Sequence, residues 1–311
     1  MKVGLYDTIK RPFVFLFEWR PYSPYRFIMY FFVYASVPIF AYGIKPYTVE
    51  IIKTISFTII VLYSGFFAII MWNDICDANI DTIVHPKRAI PKGLISKKKF
   101  FIIALIFSGI VFFFSYLINL RCFIFIGLAS LLAAVHNKYL RRIIKLPAYS
   151  EIFTPLQWTI VPIFGFLAIE NSNFFNMLLL VIFTYFADSA HDIPQGIHDA
   201  EGDFKEGIKT YTTSFGEKVG AKISFFQLVC AGLIGIFVFL KVGLTLIFLI
   251  PFLIVWGYTL YNSYHYLKLE KEQMKESGFQ TGLKIYRFFL ATYVFIFLDI
   301  FVQLLIFYLS P

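Results

Sequence analysis

Two acidic runs, far apart in the chain, have the residue types and the spacing to bind a divalent metal ion. The first, NDICDANID, directly follows a long apolar segment, and the second, DAEGD, comes much later in the chain. Carboxylates beside lipid are unfavourable unless they are paired or bind a metal. The candidate metal ligands are therefore Asn73, Asp74, Asp77, Asp81, Asp199 and Asp203.

The spacing within each run indicates what the acids do. A helix would place Asp74, Asp77 and Asp81 on one face, where like charges repel, so helix stability does not explain them. Mg²⁺ binds oxygen ligands and is usually held by one or two carboxylates together with substrate phosphates. Asp199 and Asp203 are again four residues apart and could hold a second ion. Two Mg²⁺ ions with basic residues nearby predict a site for a diphosphate.

The composition is that of an integral membrane protein. The chain of 311 residues is 59% hydrophobic and 21% aromatic, and only 15% of its residues are charged, whereas soluble proteins have about 25% charged residues. The net charge of +9 does not indicate nucleic-acid binding, because the basic residues lie in short loops between apolar segments. The three cysteines show neither metal-binding spacing nor a disulfide framework, and the sequence indicates no protein partner.

The apolar segments predict an all-α fold. A helix needs about 20 apolar residues to cross a bilayer. We predict nine transmembrane helices, at about 24–43, 51–72, 99–118, 121–136, 152–169, 174–191, 222–241, 243–262 and 285–309.

The distribution of basic residues predicts the orientation. With nine helices, all Lys and Arg residues except Lys45, Lys53, Arg121 and Lys241 fall on the same side as the N-terminus. The side rich in Lys and Arg is cytoplasmic. We therefore expect a cytoplasmic N-terminus and an external C-terminus, in the cell membrane. Both acidic runs then lie on the cytoplasmic face.

The acidic motifs resemble those of a known family. NDICDANIDTIVHPKRAIPKGLIS resembles the first aspartate-rich motif of the UbiA superfamily of intramembrane prenyltransferases, and DAEGDFKEGIKT resembles the second. Weaker matches are WRPYSPYRF, YLRRIIKLP and VPIFG. The resemblance covers almost the whole chain, so residues 1–311 are expected to form one UbiA-like domain. His85 departs from the family's usual Asn, and Gly196 stands where several members have Asp.

The resemblance implies a reaction and a site. It implies Mg²⁺-dependent transfer of a prenyl group from a prenyl diphosphate to an acceptor through an allylic cation, inside a helix bundle with a central cavity and a cytoplasmic cap. Two Mg²⁺ ions, bound by the six candidate ligands, would bridge the diphosphate, and membrane lipids would surround the bundle. The residues expected to act in catalysis are Asp74, Asp77, Asp199 and Tyr139, whose ring would favour the cation. The expected diphosphate-binding residues are Arg88, Lys145 and Lys209.

The acceptor is not determined by these motifs. We favour an aromatic acceptor of the quinone-precursor type, because that is the family's commonest use. The alternatives are a glycerol-phosphate ether lipid of archaeal type, cyclisation of the prenyl diphosphate without an acceptor, and an ion transporter that uses the acids as an ion path.

Other polar residues near the second motif have weaker patterns. Asp188 and Asp192 are four residues apart and can both face the cavity. His191 and His198 flank the second motif, and either could act as a base for a phenolic acceptor, but we favour the interpretation that both are solvated. Pro194 is expected, with Gly196, to end the sixth helix before the second motif. Asp299 in the last helix would lie near the far interface or pair with a neighbour. The roles of Asp192, His198 and Asp299 remain open.

Overall fold

The computed structural model describes residues 23–84 and 86–310. His85 and the Arg-Pro pair of WRPYSPYRF lie outside the described residues. Within them, nine helices are long and apolar enough to cross a membrane. This confirms the predicted all-α membrane fold.

The transmembrane helices are joined by short helices at the ends that carry the acidic motifs. The long helices are α1 (Ser23–Tyr42), α2 (Val49–Cys76), α4 (Lys97–Ile118), α5 (Leu120–Val135), α7 (Tyr149–Ala168), α8 (Phe174–His198), α11 (Glu217–Val242), α12 (Leu246–Leu267) and α13 (Lys271–Leu309). The short ones are α3 (Ala78–Val84), a π-helix (His136–Leu140), α6 (Arg141–Ile143), α9 (Ala200–Lys205) and α10 (Tyr211–Phe215).

Several helices extend beyond the apolar segments that predicted them. α2 continues to Cys76, α8 to His198, and α13 begins at Lys271, well before the predicted start near residue 285. Hydropathy detects only the part of a helix that lies in lipid. The polar extension at the start of α13 is capped by side chains, because Glu270 and Gln273 form a capping box. The extensions bring both acidic motifs to helix ends.

α8, which leads into the second motif, lies at the centre of the bundle. It packs against α7, α11 and α13, while α2, which leads into the first motif, packs mainly against α4 and α1. α13 approaches α8 closely at two glycines: a Cβ on Gly278 would lie 2.3 Å from the Pro194 carbonyl oxygen, and one on Gly282 would lie 2.6 Å from Gln195 Cγ. Small residues spaced by four allow such close contact between membrane helices. The end of α8 is therefore held firmly.

The predicted break of the sixth helix at Pro194 is wrong. α8 runs through Pro194 and Gly196 and ends at His198. Proline has no N–H, which leaves the carbonyl four residues earlier without its helical donor. That carbonyl, on Ala190, accepts a hydrogen bond of 2.6 Å from Ser224 Oγ on α11. A neighbouring helix thus replaces the missing donor, and the helix continues.

Candidate active site

The first acidic motif spans the junction of α2 and α3. Asp77 separates the two helices, yet its amide donates to Asn73 O at 2.8 Å and its carbonyl accepts from Asp81 N at 2.9 Å. The helical course therefore nearly continues through the motif. Asp74 and Asp81 are each only 2% exposed, and Asp77 is half-buried. The motif faces protein and not open solvent.

Each first-motif carboxylate has an arginine close by. Arg88 Nη1 lies 2.7 Å from one carboxylate oxygen of Asp81 and 2.8 Å from the other, and 3.5 Å from Asp74. Arg141 and Arg142 donate to Asp77 Oδ1 at 2.7 and 3.1 Å. Burial still raises the pKa of Asp81, although Arg88 lowers it. The expected diphosphate ligand Arg88 thus lies within the site, and the arginines offset charges that would otherwise repel.

A π-helix brings an amide chain to Asn73. Residues His136–Leu140 form this π-helix between α5 and α6, a feature found frequently at functional sites. From it, Asn137 Nδ2 donates to Asn73 Oδ1 at 2.7 Å, and Asn137 Oδ1 accepts from Gln157 at 3.2 Å. Neither Asn137 nor Gln157 was identified from the sequence, because neither belongs to an acidic motif. The hydrogen-bond chain orients Asn73 for a ligand.

The second acidic motif lies at the end of α8. Asp199 follows the last helical residue, and Asp203 lies in α9. Among the described residues, neither carboxylate has a basic side chain within ion-pair distance. Burial raises the pKa of Asp203 to about 7, and the Asp199 carboxylate raises it further while Arg141 lowers it. Burial also raises the pKa of Asp199, which His198 and Arg88 lower. These two acids lack the neutralising partners of the first motif.

The two motifs face each other. Arg88, which pairs with Asp81, is close enough to Asp199 to affect its pKa, and Arg141, which pairs with Asp77, does the same for Asp203. Arg142 Nε also lies 3.9 Å from Glu206 Oε2, just after the second motif. The structure therefore brings together acids that are distant in the sequence, as their shared membrane side predicted.

The donor set fits Mg²⁺ in the presence of a diphosphate. Within the described part of the chain, no group of three or more His, Cys, Asp or Glu residues is arranged to hold a metal by itself. That is the usual situation for Mg²⁺, which needs only one or two carboxylates when substrate phosphates complete its shell. Asp199 and Asp203 supply two half-buried carboxylates that have no basic side chain at ion-pair distance among the described residues, and Asn73 supplies an oriented amide.

The remaining predicted residues lie at the edge of the site. Lys145 is exposed and donates to Gly207 O at 2.9 Å, and Lys209 is half-buried in the loop after α9. Tyr139 is 49% exposed and lies under Lys138 Nζ, 5.0 Å from the ring centroid. It is not among the described residues that line the cavity beneath the motifs. The aromatic surface expected of Tyr139 is provided by other residues.

A cavity of about 620 Å³ begins at Asn73 of the first motif and extends into the bundle. Its polar end contains Asn73, Gln157 and Gln195, and its long arm is apolar. The arm is lined mainly by α2, α4, α5 and α7, including Ile69, Ala104, Val111, Phe112, Ile126, Ala133 and Val161. Phe101 and Leu105 line it too and are exposed on the outer surface of the bundle. Such a volume matches a ligand pocket of about 300–1,000 Å³.

Three aromatic rings meet where the polar end joins the apolar arm. Trp158 lies 5.5 Å from Tyr30 and 6.3 Å from Tyr286, centroid to centroid, and all three line the cavity. The hydroxyls of Tyr30 and Tyr286 hydrogen-bond to each other. Aromatic faces attract a cation. These residues come from α1, α7 and α13, so their grouping depends on packing that the sequence pattern does not reveal.

His191 is buried, so its interpretation as a solvated residue is wrong. It is 8% exposed and lines the cavity with Asp188 and Asp192. Its Nδ1 lies 2.6 Å from the Asp188 carbonyl oxygen and 3.1 Å from Asp188 Oδ1. The expectation that Asp188 and Asp192 face the cavity is confirmed. His198, by contrast, is exposed, and its Nδ1 lies 2.9 Å from Lys275 O.

The position of Glu151 explains why residue 196 is glycine and not the Asp that the resemblance to the family led us to compare it with. Its Oε2 accepts from the backbone amide of Tyr211, and its Oε1 has no hydrogen-bond partner among the described residues. A Cβ on Gly196 would lie 2.2 Å from that Oε1. A side chain at position 196 would therefore collide with Glu151. A carboxylate from α7 occupies the space that a side chain at position 196 would need.

Asp299 has a structural role. Its Oδ2 accepts from Thr245 N at 2.8 Å, from Thr245 Oγ1 at 2.7 Å and from Phe248 N at 3.0 Å. These donors belong to the N-terminal turn of α12, which a carboxylate stabilises. The pairing with a neighbour that was one expectation for Asp299 is thus confirmed.

Comparisons with known proteins identify the family of this chain. The chain matches the UbiA prenyltransferase family over residues 29–298. It is 31% identical over 196 residues to a digeranylgeranylglyceryl phosphate synthase of Thermococcus sibiricus, covering 63% of this chain and 68% of that protein. A protein of the same name from Pyrococcus furiosus is 28% identical over 173 residues, covering 56% of this chain and 61% of that protein.

Two solved structures show the same fold. A UbiA homologue from Aeropyrum pernix K1 has a TM-score of 0.67 at 18% identity, covering 89% of this chain and 98% of that one. A UbiA homologue from Archaeoglobus fulgidus, bound to DMAPP and Mg²⁺, has a TM-score of 0.53 at 16% identity, covering 85% of this chain and 95% of that one.

Proposed function

The chain belongs to the UbiA prenyltransferase family, and we propose that it transfers a geranylgeranyl group from geranylgeranyl diphosphate to the glycerol hydroxyl of geranylgeranylglyceryl phosphate. The prenyltransferase assignment follows from the family. The observation that carries the substrate class is a pair of acidic motifs within electrostatic range of shared arginines, beside a mainly apolar cavity that begins at Asn73. The motifs suit a diphosphate, and the cavity suits its prenyl chain.

The choice of acceptor is supported by the relatives. Proteins similar to this chain carry the name digeranylgeranylglyceryl phosphate synthase. A product with two geranylgeranyl groups on glyceryl phosphate requires an acceptor that already carries one. The aromatic acceptor favoured from the sequence therefore gives way to the glycerol-phosphate ether lipid, which was the alternative. Phe101 and Leu105, which line the cavity and are exposed, provide an entrance for lipid-borne substrates.

The residues that would hold Mg²⁺ and diphosphate are those of the two motifs. Asn73, Asp74, Asp77 and Asp81 would hold one ion, and Asp199 and Asp203 the other, consistent with the Mg²⁺ in the similar structure from Archaeoglobus fulgidus. Bound Mg²⁺ supplies Lewis-acid stabilisation of the leaving diphosphate.

The basic residues around the motifs would take the phosphate oxygens. Arg88, Arg141 and Arg142 now bind carboxylates and can exchange them for phosphate oxygens, because guanidinium binds both anions in the same way. Lys145 and Lys209 lie at the edge of the same site and would add further positive charge. The diphosphate would thus be held by residues of three connecting regions, which follow α3, α5 and α9.

The protein's own contribution to bond cleavage is positioning and shielding. The diphosphate is held at the polar end, so C1 of the prenyl chain lies near Tyr30, Trp158 and Tyr286. These ring faces favour the allylic cation that forms when the C–O bond breaks. The apolar arm excludes water, which would otherwise capture the cation. The acceptor hydroxyl then attacks C1 to form an ether.

The location and orientation follow from the same helices. The chain is an integral membrane protein. We place it in the cell membrane with its N-terminus and active site in the cytoplasm and its C-terminus outside, as its basic residues predict. That residues 1–311 form one domain remains a prediction.

Transfer in proteoliposomes tests this function. Purified protein is supplied with Mg²⁺, geranylgeranyl diphosphate and equal amounts of geranylgeranylglyceryl phosphate and 4-hydroxybenzoate, and products are identified by mass spectrometry. We expect the double ether, and none after chelation of Mg²⁺. Prenylated 4-hydroxybenzoate as the main product would restore the aromatic acceptor. A cyclic hydrocarbon formed equally without either acceptor would identify a cyclase.

A further inference from the structure

A buried histidine, a buried carboxylate and a half-buried carboxylate lie together on α8 at the cavity wall. We propose that His191 is the base that removes the proton from the acceptor hydroxyl, and that Asp188 holds it in position. This inference rests on the proposed function, because it requires an acceptor with a hydroxyl group. His191, Asp188 and Asp192 all line the cavity and take no part in the two acidic motifs.

The surroundings of His191 determine which nitrogen carries hydrogen. Nδ1 lies 2.6 Å from the Asp188 carbonyl oxygen and 3.1 Å from Asp188 Oδ1, and both atoms are acceptors only. Nδ1 of the neutral ring is therefore protonated, and Nε2 keeps its lone pair. Nε2 lies 3.6 Å from Asp192 Oδ1, so a hydroxyl entering there could bridge the two. This arrangement is that of a base held by a carboxylate.

The burial of Asp188 indicates a task beyond packing. Its side chain is 0% exposed, and neither carboxylate oxygen meets hydrogen-bond geometry with any donor among the described residues. A buried carboxylate without such bonds is unfavourable in a resting protein. The charge would be compensated when His191 takes up a proton, because imidazolium then forms beside it. Asp188 is thus placed to stabilise the imidazolium that His191 forms when it takes up the proton.

The groups that face the pair come from three helices. From α8 itself, Asp192 faces His191 and Asp188. From α13, the Tyr286 ring lies 4.5 Å from the His191 ring, centroid to centroid, and Tyr293 lies within electrostatic range of Asp188. From α1, Tyr30 hydrogen-bonds to Tyr286, and the Arg26 guanidinium lies 5.6 Å from the Tyr286 ring. The aromatic rings that would face the cation therefore adjoin the base.

Ether formation breaks one C–O and one O–H bond and forms one C–O and one N–H bond. The prenyl C–O bond breaks, and its electron pair leaves with the diphosphate. The acceptor oxygen forms a bond to C1 of the allylic cation, and its O–H bond breaks. The proton passes to His191 Nε2, which becomes imidazolium between Asp188 and Asp192. Product release and loss of the proton to water restore the neutral ring.

The test compares His191→Gln with Asp188→Asn and with His265→Gln, a control on the exposed surface of α12. Each protein is assayed with geranylgeranylglyceryl phosphate and with its analogue carrying a thiol at the reacting position. A thiol, with a pKa of about 8.5, forms its anion without a strong base. Binding of geranylgeranyl diphosphate and thermal unfolding are measured in parallel.

We expect His191→Gln to lower kcat for the hydroxyl acceptor by about 10²-fold or more, the usual effect of losing a general base. Binding of geranylgeranyl diphosphate should stay within twofold, and the thiol analogue should recover most of the rate. Asp188→Asn should lower kcat less and shift the rise of kcat with pH, because the residue acts through His191. His265→Gln should match the wild type.

Two results would overturn the proposal, and they are distinguishable. Equal slowing of the hydroxyl and thiol acceptors in His191→Gln, with active wild type, would show a packing role and leave the proposed function standing. A wild-type protein that binds geranylgeranyl diphosphate but alkylates neither acceptor would overturn the proposed function and, with it, the base.

Discussion

The carboxylates of the two motifs differ in their basic partners. Those of the first motif have arginine partners, with Arg141 2.7 Å from Asp77, whereas Asp199 and Asp203 have no basic partner at ion-pair distance among the described residues. Burying unpaired carboxylates is costly, and it raises their pKa. Binding of a cation at the second motif and of an anion at the arginines would therefore stabilise these charges most. Mg²⁺ and a diphosphate provide both.

How far the sequence predicted the site depends on the kind of residue. The metal-ligand candidates were found because acids beside lipid are rare and their spacing is regular. Asn137, Gln157 and Tyr286 were not found, because they lie on three separate helical segments and only packing brings them to the cavity. Tyr139 was chosen by resemblance, and the π-helix leaves it at the surface.

The hydrogen-bond chain to Asn73 gives a prediction for Asn137. Asn137→Ala removes the donor to Asn73 Oδ1, and loss of a residue that orients a ligand typically costs about 10–100-fold. We expect the Mg²⁺ concentration for half-maximal transfer to rise by about that factor, measured by titration of Mg²⁺. Asn176→Ala, at the opposite end of α8, should have no effect. An unchanged Mg²⁺ requirement in Asn137→Ala would show that Asn73 is oriented by other contacts.

At the scale of elements, α8 differs most from its prediction. The local rule that proline ends a helix is overridden because Ser224 on α11 bonds to the Ala190 carbonyl. The pattern along one segment carries no information about such a partner. The positions of the other helices were predicted well because lipid imposes a long apolar segment on each. The polar ends of these helices were not predicted, because hydropathy detects only the part of a helix that lies in lipid.

The contact between α7 and α8 gives a prediction for Gly196. Gly196→Ala would place a Cβ 2.2 Å from Glu151 Oε1, and such overpacking typically costs about 1–3 kcal/mol. We expect a lower unfolding temperature in detergent for Gly196→Ala alone. In a Glu151→Ala background, the same substitution should cost much less, because the colliding carboxyl is gone. Additive losses in this double-mutant cycle would show that the two residues do not compete for space.

At the scale of the whole molecule, nine crossings would place the two ends of the chain on opposite sides of the membrane. The described residues contain nine candidate spans, and the loops that carry both motifs are also those rich in Lys and Arg. The cytoplasm supplies diphosphates and Mg²⁺, so this orientation agrees with the chemistry. The count could be predicted from the sequence because each crossing leaves a separate apolar segment.

The orientation can be checked by labelling with a membrane-impermeant maleimide. Cys76, Cys122 and Cys230 are first replaced by Ser, and one new cysteine is then introduced, by Ser310→Cys or Glu272→Cys. We expect intact cells to label the first variant only, because the proposed orientation has α13 run from the cytoplasm to the outside. Permeabilised cells should label both. Labelling of Glu272→Cys alone in intact cells would invert the proposed topology.

The most direct test of the central claim is the mass of the lipid made in a host that supplies geranylgeranyl diphosphate and geranylgeranylglyceryl phosphate. Host cells express the wild type, Glu201→Gln as a control, or Asp199→Asn. We predict that the first two accumulate digeranylgeranylglyceryl phosphate and that Asp199→Asn reduces it at least tenfold at equal protein level. Absence of this lipid with the wild type, or undiminished lipid with Asp199→Asn, would contradict the account.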